Sequence, residues 1–467
     1  MELNLLARVH LRPPRRYAQC TAWRAPRRWG INADCARKAV VIGTAVAARG
    51  SGERAQRRTG HRPGRAAAIV IALAAFTGSW TGFRIAGLNI SDYLLVLAAL
   101  LVVWSTVTRR WRLIVQWWSV IPVVVLAVYA AIGFVVFDHP LIGSKNASRF
   151  VAGTAVGDEL SGALLLVARM ALSLTVVALL VANYFGAEQR TTDLRRLGAW
   201  WAWGAAVSAA FAIAQHYLGV ADLPFQFHII SPRANGFANH PNSLGQSVAL
   251  ALPILVLLTL SRRRLVRLLA IASTVLGILA VYLSGSRAAL LIGTASVIVS
   301  VAYVMVKSRW RAWLLPAGAV MVAVALLVAG PILATTRFGD PAGAESTGFR
   351  LVALDTAWRW FGQSPLFGVG VASWIGEMVP LIVLTSGGIV YFLVFYGSLA
   401  VPLVRRPLCP VDPWLVILVI TGLGVLAFGV LNNAIVERYL YWPLALLFAM
   451  KGFIEEPPDE LKRRSLS

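Results

Sequence analysis

Charge and cysteine are both scarce in this chain of 467 residues. Only 14% of them are Asp, Glu, Lys or Arg, the acidic residues number 20, and there are three cysteines. Cys20 and Cys35 lie in a basic N-terminal stretch and Cys409 in a loop between apolar runs. That scatter offers neither a disulfide framework nor a cysteine-ligated metal site. No Ser-His-Asp order, Walker loop, dinucleotide fingerprint or metal-ligand spacing is present either, so no cofactor and no metal are expected. Gly368-Val369-Gly370 is no nucleotide loop, because no strand and no further Gly-x-x-Gly accompany it. No internal repeat is evident. The sequence is instead 58% hydrophobic, more than a soluble domain can bury, which predicts an all-α, polytopic integral membrane protein.

A formal net charge of +24 raises the question of nucleic acid, and its distribution answers it. Residues 1–65 hold fifteen Lys and Arg against Glu2, Asp34 and Glu53, half of the whole excess. Most other basic residues sit in short clusters between apolar runs, as topology signals do. No basic groove interleaved with aromatics is visible, so no nucleic-acid partner is expected. Residues 1–65 lack the pattern of a secretory signal peptide. They read as a basic, disordered cytoplasmic tail or as a mis-assigned start, and are set apart from a transmembrane domain at 66–453 and a cytoplasmic tail at 454–467.

A membrane-spanning helix needs about 20 apolar residues. About twelve such helices are expected, at 66–83, 92–107, 117–137, 161–184, 198–218, 243–260, 268–284, 288–306, 312–334, 378–401, 414–431 and 438–453. Alternate loops are short and rich in arginine, as at Arg109, Arg110 and Arg112, at Arg262, Arg263, Arg264 and Arg267, and at Arg405 and Arg406. By the positive-inside rule these loops face the cytoplasm, with both termini, and the other loops face outward. The longest outer loop, 335–377, lies between the ninth and tenth helices. The Ala-, Arg- and Trp-rich composition is compatible with a bacterium, and the expected home is then its inner membrane.

Four arginines then stand out on the outward side. Arg233 opens the segment Arg233-Ala234-Asn235-Gly236-Phe237-Ala238-Asn239-His240-Pro241-Asn242, where Asn242 and Ser243 are expected to cap the following helix. Arg287 follows Ser284-Gly285-Ser286 in a tight turn that places it at a helix start, where the dipole adds to its charge. Arg350 belongs to a short amphipathic helix in the long outer loop, with Asp355, Trp358, Arg359 and Trp360 beyond it. Arg169 lies eight residues inside a span, where an arginine is costly and therefore suggests a function. Arg438 is expected to pair locally with Glu437. Arginines gathered on one face of a membrane imply an anionic ligand.

At these residues the chain resembles the O-antigen ligase and polymerase superfamily of bacterial polysaccharide assembly. The resemblance rests on Arg233 to Asn242, Gly285-Ser286-Arg287, Arg350 with Leu354, and Leu366-Phe367-Gly368-Val369-Gly370, in that order and on one side. It implies an inverting, metal-independent glycosyltransferase that ligates or polymerises glycan from an undecaprenyl-pyrophosphate-linked donor. Its partners would be that donor, a glycan or glycolipid acceptor, and membrane lipid. Arg233, Arg287 and Arg350, with Arg169, would hold the pyrophosphate, while Asn239 and Asn242 would meet the glycan. One departure is plain. The His-Asn pair usual in the family before the helix after the large loop is missing from Val371 to Pro380. Glu377 is the base expected there, and His240 is the second candidate. The competing readings are a transporter or flippase of an anionic or lipid-linked solute, and an inactive paralogue that binds glycan lipid.

Overall fold

A computed structural model describes residues 65–85, 88–109, 113–136, 159–184, 190–226, 233–307, 341–370, 378–405, 412–431 and 435–455. The basic N-terminal stretch, the span expected at 312–334, Glu377 and the tail beyond residue 455 lie outside the described residues. In order, α1 is Arg65–Phe76, α2 Ile90–Arg109 and α3 Trp117–Val136. Helix α4 runs over Glu159–Met170, passes through a π-helical turn at Ala171–Val176, and continues over Val177–Asn183. Then come α5 Arg190–Leu218, α6 Pro241–Leu258, α7 Arg264–Leu283, α8 Arg287–Lys307, α9 Pro341–Gln363, α10 Val379–Val404, α11 Pro413–Leu431 and α12 Tyr441–Glu455. Strand is confined, among the described residues, to the pair β1 Arg84–Ile85 and β2 Leu88–Asn89, plus a bridge from Phe83 to Gln226.

Eight of these helices are long and apolar enough to cross a membrane, and Arg65–Ser79 and Trp117–Ala131 are shorter apolar ones. The protein is thus an all-α, multi-pass membrane protein. Its apolar residues face two ways. On α2, Leu100, Trp104 and Val107 lie exposed, as side chains against lipid must. Helix α6 is buried over 89% of its length and packs against α5, α7, α8 and α11. A helix apolar all round belongs in such a central place. Lipid tails are as apolar as leucine, so helices associate through close packing of small residues. Accordingly, a Cβ at Gly245 would stand 2.6 Å from Ser284 Oγ, and one at Gly293 would stand 3.0 Å from Ala249 Cβ.

Helix α10 is broken. Gly388 adopts φ 64°, ψ −164° in its middle, and the segment after α9 fills the gap. Val369 N and Gly370 N donate to Thr385 O (2.7 Å) and Ser386 O (3.2 Å), while Ile389 N and Val390 N donate to Pro365 O (2.9 Å) and Leu366 O (3.2 Å). The carbonyls ending one half-helix and the N–H groups starting the next are thereby satisfied, as a break among apolar helices requires. A Cβ on Gly388 would lie 2.2 Å from Leu366 O, and one on Gly368 2.5 Å from Gly387 N. Gly388→Ala is therefore expected to destabilise the protein by about 1–3 kcal/mol from backbone strain alone. It should also free residues 364–370 to protease, measured as faster cleavage there together with a lower melting temperature in detergent.

A candidate anion site at two helix starts

The segment from Arg233 to Asn242 is held on every side. Gln226 Nε2 donates to Gly236 O (2.5 Å), Phe237 N to Ser208 Oγ (3.0 Å) and Gly82 N to Phe237 O (2.8 Å). Phe237 packs edge-on against Trp80 and Phe83 and at a tilt against Phe211. Its exit into α6 is capped by His240, where Asn242 and Ser243 were expected to serve. His240 is extended, and its Nδ1 accepts from Asn242 N at 3.0 Å, with Pro241 as the first helical residue. An imidazole accepting at Nδ1 carries its proton on Nε2 when neutral, so the other end of the ring is a donor.

The second motif meets the first here. Ser284 to Ser286 form the turn between α7 and α8, with Gly285 at φ 58°, and α8 begins at Arg287. Ala234 N donates to Leu283 O at 3.2 Å. A Cβ on Gly285 would lie 3.1 Å from Arg233 Cδ, so the glycine lets the arginine stem lie across the turn. The Arg233 guanidinium reaches back to Asn242 Oδ1 through Nη2 at 3.2 Å. The N-terminal ends of α6 and α8 therefore stand side by side, with half-buried Arg233 and Arg287 beside them. Two helix N-termini and two guanidinium groups together make a positive field suited to an oxyanion.

Arg169 belongs to a neighbouring group of charges. It lies within electrostatic reach of Arg438, Arg84, Glu437 and Asp92. Arg438 is buried and forms a bidentate pair with fully buried Asp92. The local Glu437–Arg438 pair expected from sequence is present but long, at 3.8 Å. Burial draws the Arg84 guanidinium below its ordinary value; Glu437 and Asp92 oppose this and Arg438 adds to it. The network extends to the first site. Asn89, oriented to satisfy both ends of its amide, accepts from Arg438 Nη1 (2.6 Å) and donates to Thr81 O (3.1 Å). Thr81 Oγ1 donates to Asn239 Oδ1 (2.9 Å) and accepts from Asn239 N (3.1 Å).

Thr81, Asn89 and Asp92 were thus missed in the sequence. The available sign was Asp92, a carboxylate in the first turn of an apolar helix, which demands a cation nearby. Arg350 falls within α9, a helix of 23 residues rather than a short one, which packs on α10. Among the described residues, no three His, Cys, Asp or Glu side chains gather as metal ligands.

Residues 272–382 match the family model described as O-antigen ligase. The matched stretch contains the Gly285–Arg287 turn, Arg350 and the segment 365–370 that fills the broken helix, while the Arg233 segment lies before it. No curated protein and no solved structure matches the chain. A role in glycan assembly of the ligase or polymerase type follows, on lipid-linked substrates and in a bacterial membrane. The match over residues 272–382 supports membership of the O-antigen ligase superfamily.

Proposed function

We propose that this protein transfers glycan from an undecaprenyl-pyrophosphate-linked donor to an acceptor hydroxyl on the outer face of the cytoplasmic membrane. The observation that carries this reading is Arg233 laid against the Gly285–Arg287 turn, at the joined N-termini of α6 and α8. As the glycosidic bond breaks, negative charge grows on the leaving pyrophosphate. Preorganised arginines in a dry cleft stabilise that charge without a metal ion. Arg233 and Arg287 are the direct ligands, with Arg350 a third, and Arg169 adds to the field. Asn239 and Asn242 orient the glycan. The acceptor attacks the anomeric carbon from the opposite face, inverting it, and Glu377 takes the proton. His240, with Nδ1 occupied by its capping bond, fits better as a donor to the departing phosphate than as the base.

The transporter alternative calls for a discontinuous helix with open backbone groups near the midplane. Helix α10 is discontinuous, but residues 365–370 take up its backbone groups at the break. This favours the enzyme. Deleting the gene in its native bacterium should cause outward-facing lipid-linked glycan to accumulate while a longer or transferred product disappears. Accumulation on the inner face would indicate a flippase instead, and an unchanged glycan profile would overturn the proposal.

A further inference from the structure

We propose that the membrane leaflet opposite the arginine site supplies an anionic phospholipid to a groove between α3, α4, α10 and α12, with one acyl chain inside it. The groove encloses about 680 Å³ and is mostly apolar, with Trp117, Ile121, Leu393, Gly397, Arg405 and Phe448 among its walls. Its position follows from the helix ends. Helix α12 starts beside Arg438 and α2 beside Asp92, within the charged network near the arginine site. The groove lies toward the far end of α12, the start of α3 and the end of α10. Ile114 in its wall is held by Asn183, whose Nδ2 donates to Ile114 O at 2.8 Å and whose Oδ1 accepts from Ile114 N at 2.9 Å.

Five features point to a lipid with a negative headgroup. Along α10 the groove extends from Leu393 to Arg405, about 18 Å at the usual helical rise, close to half of a bilayer's hydrocarbon core of about 30 Å. It therefore reaches from headgroup level to the midplane, as one acyl chain does. At Gly397 a Cβ would meet nothing within 4 Å, so the wall is open where a chain would lie. At the mouth, the Arg405 guanidinium stands 4.8 Å from the centre of the Phe448 ring, which fixes a cation at phosphate level. Lys451 Nζ lies on the same stretch of α12 and donates to Leu403 O at 2.9 Å. Trp117 is 69% exposed at the rim, as an indole at a membrane interface is. None of this depends on the glycosyltransferase reading.

The test is native mass spectrometry of the full-length protein, released from nanodiscs containing equal phosphatidylglycerol and phosphatidylethanolamine. The parent should retain phosphatidylglycerol selectively. Gly397→Leu places a side chain in the groove through a Cβ that meets no atom within 4 Å and improves helix propensity, so it should keep the parental melting temperature and lose most of the bound lipid. Arg405→Gln should still hold lipid but lose about fivefold of its preference for the anionic species. Undiminished lipid on Gly397→Leu, or an undiminished preference on Arg405→Gln, would overturn the proposal. So would equal retention of the two lipids by the parent.

Discussion

Arg287→Ala is expected to lower glycan transfer by about 100- to 1000-fold, the usual cost of removing one preorganised donor from a developing anion. The protein should reach the membrane in normal amount, because Arg287 is half-buried at a helix start rather than packed in the core. Arg233→Ala should act similarly. If both arginines hold one pyrophosphate, the double variant will fall well short of the product of the single losses, since neither works fully without the other. Arg287→Lys should recover little, because an ammonium cannot reproduce the planar fork that grips two oxygens. The measurement is transfer from a purified lipid-linked donor to acceptor in detergent, with membrane abundance followed in parallel. Near-parental transfer by the double variant would rule out the pyrophosphate clamp.

The largest stability effect should come from Asp92. Its side chain is fully buried and that of Arg438 is 5% exposed, so solvent screens the pair little. Asp92→Ala leaves a guanidinium without its carboxylate, and breaking a buried pair in this way costs about 3–5 kcal/mol. The same substitution removes the carboxylate that accepts from Asn89 N at 2.9 Å. The line through Asn89 and Thr81 to Asn239 then loses its anchor. The double variant Asp92→Leu/Arg438→Met should melt closer to the parent than either single change, because an apolar pair needs no partner. Thermal unfolding in detergent distinguishes these outcomes. A single variant as stable as the parent would mean that the pair is dispensable.

What could be read from the sequence divides by range. The membrane-crossing helices were legible, because an apolar run of sufficient length can go nowhere else. Their ends were less so. Helix α5 begins at Arg190 rather than near 198, since its first turns carry Asp193, Arg195 and Arg196 and stand clear of the apolar stretch. Arg195 there pairs with Asp412 at 2.7 Å, 217 residues away, a partner that local pattern cannot reveal. The break in α10 was hidden for a different reason. The run from Val379 to Val404 has the composition of one span, and only Gly387-Gly388 with Gly368 and Gly370 betrayed a close crossing. At the candidate site the Arg233 segment and the Gly285–Arg287 turn were recognisable separately. Their contact and the Asp92–Arg438 pair depend on tertiary packing, whereas the His240 cap is local and was passed over for the more usual capping residues Asn242 and Ser243.

The π-helical turn at Ala171–Val176 carries a consequence for Arg169. Such a turn fits one surplus residue into a helix, and in an α-helix each residue turns the chain by about 100°. Within it, Thr175 Oγ1 is fixed to Ser119 O at 2.8 Å and Ser173 Oγ to Val436 O at 2.5 Å. Arg169 sits two residues before the turn begins at Ala171. The direction in which its cation points is therefore recorded as a count, one residue more than a regular helix would hold. The same side chains wound regularly would aim that charge about a quarter-turn away, toward other neighbours, with no change in composition.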